Sequence, residues 1–168
     1  MIMVYPSAEG VNVKAVVIYD TVSEAKVTGK VAETIVSCLK ANGVSLDSYY
    51  VEDVAKANLK DYDCMILGAP TMAWKPSTRM KGFLDGLKGN PISGNLAATF
   101  DTQLKSFMSG DATKHMEKHL RDMGMNIVVP ALLAYVETKD KRYQLREGEV
   151  QRVMTWCKEL ANALSPKS

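Results

Sequence analysis

The sequence predicts an α/β fold, a parallel sheet covered on both faces by helices. Two observations carry that expectation. Short apolar runs of strand character alternate with longer stretches whose apolar residues recur every three or four positions. Three of the apolar runs also lead straight into polar loops: Lys14–Tyr19 into DTVSEAKVTGK, Cys64–Gly68 into APTMAWK, and Leu96–Phe100 into DTQL. In an open α/β sheet, ligands sit beyond the carboxyl ends of the strands. The three loops therefore read as one site for a flat ligand.

Met1 to Asn12 has no basic segment and no long apolar core. It reads as a poorly ordered arm rather than a signal peptide, with residues 13–168 forming the domain. Val13–Tyr19 is the first strand. The helix after it carries Val31, Ile35, Cys38 and Leu39 on one stripe and stops at Asn42-Gly43. Val44–Val51 is the second strand, and Asp53–Leu59 is one or two helical turns. After the third strand, Cys64–Gly68, Pro76 opens a helix with Met80, Phe83, Leu84 and Leu87 inward. Leu96–Phe100 is the fourth strand. Ser109-Gly110-Asp111 caps a helix marked by Ala112, Met116, Leu120 and Met123 and ended by Gly124. Asn126–Val136 is an uninterrupted last strand, and Lys139–Arg146 is a charged surface connection. The final helix carries Val150, Val153, Met154, Cys157, Leu160 and Leu164. Right-handed crossovers between parallel strands leave few arrangements, and five such strands fit the order 2-1-3-4-5.

At 168 residues the chain suits one domain with a substantial core. A net charge of +2 leaves no nucleic-acid footprint, and no run reaches the about 18 apolar residues of a membrane span. Cys38, Cys64 and Cys157 are isolated, without a CxxC pair; their odd number favours free thiols and a cytoplasmic setting. Neither GxGxxG nor GxxxxGK[ST] occurs, and no Ser/His/Asp or Cys/His nucleophile set can be assembled from the loops. His115 and His119 share a helix face, but HMEKH lacks the Glu of a zincin helix, so no metal is expected. The third strand ends in Gly68-Ala69-Pro70, where a phosphoacceptor receiver domain would need an Asp.

Four segments in order, VVIYDT (16–21) with TGKVAETI (28–35), DCMILGAPT (63–71) with KPS (75–77), AATFDT (97–102), and SGDATKHMEKHLRDMG (109–124), resemble those of flavodoxins. The likeness spans roughly Val13 to Leu164. It implies a flavodoxin-like three-layer sandwich of the short-chain type, with a five-stranded parallel sheet. It also implies FMN as cofactor and electron transfer as function. In that frame the first loop grips the phosphate through Thr21, Ser23 and Thr28, with Lys26 and Val27 at the turn into the helix. The second loop supplies Met72 and Trp74 as walls for the ring, and Ala69, Pro70, Thr71 and Ala73 as backbone partners. The third brings Asp101, Thr102 and Gln103 to the polar edge of the ring; the stacking Tyr that many flavodoxins place there is absent, and Phe107 is expected to pack down rather than replace it. The resemblance further implies redox partner proteins, a reductase or an iron–sulfur or flavin donor and acceptor, and a monomer or weak dimer. The loop from Ser23 to Thr28 is two residues longer than is usual in the family and lacks its turn glycine. Two alternatives stand beside the carrier: an FMN-dependent oxidoreductase acting on a quinone or porphyrinogen, and a module of this fold that has lost FMN.

Overall fold

A computed structural model describes residues 13–22, 25–56, 58–72, 74–87, 95–105 and 110–165. The arm Met1–Asn12, together with Ser23, Ala73, Phe107 and Ser109, lies outside them. The main strands are β1 (Lys14–Tyr19), β2 (Ser45–Tyr50), β3 (Cys64–Met72), β5 (Leu96–Leu104) and β7 (Leu132–Lys139). They pair in parallel as β2-β1-β3-β5-β7, the order 2-1-3-4-5 of the main strands. Helices α1 (Val27–Ala41), α2 (Thr78–Leu87), α3 (Ala112–Asp122) and α4 (Glu149–Leu164) cover the two faces.

Side-chain alternation on the strands divides the core in two. Ala15, Val17, Ile66 and Phe100 pack with Val31, Ile35 and Leu39 of α1 and Val153, Cys157 and Leu160 of α4. Val16, Ile18, Met65 and Leu67 point the other way, against Met80 and Leu84 of α2 and Met116 and Leu120 of α3. A strand covered on both faces is apolar along its buried length, which is why AVVIY of β1 and CMILGA of β3 read as unbroken apolar runs. Gly68 sits in the middle of this packing because the Phe100 ring lies across it, where any Cβ would collide. Helix α1 stops as expected: Gly43 takes a φ of 83°, and Asn42 donates its side-chain amide to the Cys38 carbonyl at 2.8 Å.

Several elements depart from the sequence expectation. The last strand is broken: a short β6 (Asn126–Ile127) and β7 both pair with β5, separated by a stretch containing Pro130. Proline has no N–H for the ladder, and its carbonyl accepts the Trp156 indole N–H at 2.7 Å. The segment expected as a surface connection forms an antiparallel edge strand, β8 (Arg142–Leu145), joined to β7 by Asp140 and Lys141 alone. Both turn residues have positive φ, 51° and 63°, as the tight turn matching the sheet twist requires. Pro76 does not open a helix; it belongs to a two-residue strand, β4 (Lys75–Pro76), folded back on β3. On α4, Val150 and Met154 are exposed, and Trp156 is buried in their stead.

The thiols require a correction. Cys38 and Cys157 form a disulfide between α1 and α4, with Cα atoms 6.3 Å apart. Helices that pack side by side bring two inward-facing stripes together, and a separation of 119 residues hides that contact from a local reading. Cys64 alone is free; burial pushes its thiol up to about 12.

Candidate functional site

The carboxyl ends of β3 and β5 meet the start of α1 around a cavity of about 330 Å³. Val27 and Thr28 come from α1, Pro70, Thr71 and Met72 from β3, and Thr102, Gln103 and Leu104 from β5. Val136, Tyr143 and Val22 complete the lining. The volume lies at the lower end of the roughly 300–1,000 Å³ of small-molecule sites. The walls are mostly apolar, and the few polar groups converge from different strands.

Helix α1 begins without a side-chain cap. Lys26, at its N-cap position, holds a left-handed φ of 51°, and no acidic residue stands in the first turn. The first backbone N–H groups of a helix have no intrahelical acceptor, and the helix dipole makes that end attractive to an anion. Thr28 is buried, and its hydroxyl shares a 2.6 Å hydrogen bond with that of Thr102 across the cavity floor.

The loop after β1 is tied down from the opposite face. Asp20 is fully buried and accepts the Thr21 N–H at 2.8 Å. Arg79 of α2 bridges Asp20 at 3.0 Å and donates to the Thr21 carbonyl at 3.2 Å. Burial, and then a hydrogen bond to Asp20, raises the Tyr50 phenol to about 12. A second groove, lined by Tyr19, Thr21, Lys26, Gly29, Lys30, Glu33 and Tyr50, runs along the outside of this loop.

Asp101 is the most perturbed carboxyl at the site. Its Oδ2 accepts the Thr71 hydroxyl at 2.6 Å and the Gln103 amide at 2.7 Å, while its buried Oδ1 has no partner among the described residues. Burial raises it from 3.8 to about 7 against the opposing pull of those two hydrogen bonds. Thr71 both donates and accepts, since its oxygen also receives the Ala112 N–H at 3.1 Å. With its NH₂ on Asp101, Gln103 has its carbonyl oxygen as the acceptor left for a ligand N–H.

Of the expected site residues, Val27, Thr28, Pro70, Thr71, Met72, Thr102 and Gln103 line the cavity. Thr21 and Lys26 line the outer groove, and Ala69 and Asp101 are buried in their strands. Trp74 is not part of the lining. It stands exposed with φ 75°, bridged to Gly110, where a Cβ would collide with the indole. Sequence reading missed Arg79 and Tyr143. Arg79 gives no local signal; Tyr143 was hidden because the DK turn of its hairpin lacks the usual Asn-Gly. The histidines of α3 lie Nε2 to Nε2 at 3.2 Å, and burial followed by the neighbouring His119 lowers His115. Among the described residues no group of three His, Cys, Asp or Glu side chains is placed to hold a metal.

No protein-family model matches the chain, and no curated protein matches it. Solved structures do. Oxidised flavodoxin 1 from Bacillus cereus aligns over 89% of this chain and 97% of its own, with 20% identity and a TM-score of 0.72. The fold is that of a short-chain flavodoxin. An archaeal flavodoxin aligns over 90% of this flavodoxin-fold chain and 98% of its own, at 24% identity and a TM-score of 0.69. Rubredoxin oxygen:oxidoreductase from Desulfovibrio gigas contains a similar unit: 94% of this chain matches 38% of that one, at 19% identity and a TM-score of 0.71. No helix among the described residues is long and apolar enough to cross a membrane.

Proposed function

We propose that this flavodoxin-fold protein binds FMN and acts as an electron carrier. The cavity between the uncapped start of α1 and the ends of β3 and β5 carries the proposal. When bound there, FMN would supply the one- and two-electron chemistry, and the protein would supply binding, orientation and exclusion of water. The N–H groups at the start of α1, with Lys26 and Thr28, suit the phosphate. Met72 and Tyr143 offer flanking apolar surface, and the Gln103 carbonyl suits the ring N–H. The Asp20–Arg79 bridge would hold the first loop in place before the ligand arrives, reducing the ordering cost of binding. Redox partner proteins follow from this reading.

The second reading is a flavodoxin-fold module without FMN. The Thr28–Thr102 hydrogen bond favours it, since it engages a hydroxyl expected to serve the phosphate. Titration of the flavin-stripped protein with FMN, followed by quenching of flavin fluorescence, separates the two. Tight, saturable binding that riboflavin cannot match supports the carrier; absence of binding at tens of micromolar overturns it. Within the carrier reading, Thr28→Val should weaken FMN binding by roughly 5- to 10-fold, the worth of about one hydrogen bond. Ser45→Ala, at the exposed far end of β2, should leave it unchanged. Equal affinities for the two variants would move the phosphate away from Thr28.

A further inference from the structure

Large apolar side chains are exposed at few places in the described structure, and most of those places are at one end of the sheet. Val22, Met72, Trp74, Leu104 and Tyr143 are 45–57% exposed, and the other two such residues, Val150 and Met154, lie on α4. Four of the five line the cavity mouth, and Trp74 joins them through β4, whose Lys75 pairs with Met72. Contiguous exposed apolar surface of this kind marks an interaction site.

A basic residue accompanies each part of the patch. Lys26 stands at the start of α1 beside Val27, Lys75 follows Trp74, Lys105 follows Leu104, and Arg142 precedes Tyr143. All four are exposed, and none forms an ion pair among the described residues. Lys105 rests its ammonium 5.5 Å from the centre of the Tyr135 ring, a contact that leaves its net charge in place. The described carboxylates at the same end are mostly engaged. Asp20 and Asp101 are buried, Asp111 caps α3, and Glu137 accepts the Gln144 amide. Asp140, at the hairpin tip, is exposed.

We propose that this end of the sheet is the docking face for an acidic electron-transfer protein, with the apolar residues as its centre and the four cations as its rim. Complementary charge sets which partner docks and how fast, while the apolar centre resists dissociation. A second copy of the chain fits poorly, because two cationic rims would meet. An anionic membrane fits less well than a protein, because the apolar groups surround a concavity rather than project from a helix face. The proposal rests on the carrier reading only in taking the partner to be a redox protein; Lys75, Lys105 and Arg142 stand outside the cavity lining and are not spent on a ligand there.

The test follows Trp74, one of two tryptophans in the chain. The indole N–H signals of ¹⁵N-labelled protein, with and without FMN, are recorded while a plant-type [2Fe–2S] ferredoxin is added as an acidic probe. Basic cytochrome c and phosphatidylserine vesicles are the alternatives. The Trp74 signal should shift or broaden with ferredoxin while that of Trp156, buried under Pro130, stays fixed. The response should vanish as the Debye length falls from about 30 Å at 0.01 M salt to about 3 Å at 1 M. The double reversal Lys75→Glu with Lys105→Glu should weaken ferredoxin binding by about tenfold or more and favour cytochrome c. Silence towards ferredoxin at low salt, stronger binding of cytochrome c or the vesicles by the unaltered protein, or self-association through Trp74 would each overturn the proposal. Failure of FMN to bind in the separate titration would remove the carrier reading and leave this result standing.

Discussion

Asp101 shows how a single buried group ties stability to pH. Its carboxyl is raised from 3.8 to about 7, chiefly by burial. Between those values the folded chain keeps a proton that the unfolded chain has lost. The resulting stabilisation is therefore complete below about pH 4 and disappears as pH rises to about 7. Asp101→Asn keeps an oxygen for Thr71 and Gln103 but cannot ionise. Urea unfolding at a series of pH values should show stability falling between pH 4 and 7 in the unaltered protein, with that slope flattened in the variant. Equal slopes would show that Asp101 titrates as it does in the unfolded chain. The sequence placed Asp101 at the third loop, because it follows an apolar strand directly. It concealed the rest of the group: which oxygen receives Thr71, and that the Gln103 amide turns inward, depend on a strand pair and on α3. Thr102 and Gln103 were legible by position alone; Arg79 and Tyr143 come from elements whose approach to the site no local pattern encodes.

At the level of elements, the disulfide fastens α1 to α4 across a span of 119 residues. By the loop-entropy argument, closing so long a loop in the unfolded chain contributes about 3–5 kcal/mol. Replacing Cys38 with Ser, or reducing the protein, should lower Tm by roughly 10 °C, read by calorimetry. An unchanged Tm would show that the two helices hold together by packing alone. The β7–β8 hairpin makes a smaller claim. Lys141 holds φ 63°, a conformation that costs a side chain more than it costs glycine. Lys141→Gly should stabilise the protein by about 0.5–1 kcal/mol in urea melts, because the turn is already built for it. The major helices were legible because each buries one stripe against the sheet. The hairpin was not, because a charged two-residue turn and an edge strand with exposed Arg142, Tyr143 and Gln144 carry no apolar alternation.

Across the whole molecule, protection should follow the depth of the sheet. Strands β1 and β3 are covered on both faces and paired on both sides, whereas β8 is an exposed edge. Amide hydrogen exchange should be slowest in β1, β3 and the middle of β5, and fastest in β8 and its turn. Uniform rates would contradict a cooperative core centred on those strands. The strand order was readable because parallel strands with right-handed crossovers leave few arrangements, and because Ala15–Ile18 and Cys64–Leu67 are apolar at every position. The division of the core between two helix layers needed no more than the alternation of those same side chains.

Gly68 and Phe100 carry a consequence for how this chain can vary. A side chain at position 68 has nowhere to go while the ring at 100 remains in place. The reverse does not hold: a smaller residue at 100 would leave a void, but the backbone would still close. Substitution at the pair is therefore one-directional in time. The ring must shrink before the glycine can grow, and any lineage that tries the steps in the other order passes through a chain whose Phe100 ring is forced out of its packing.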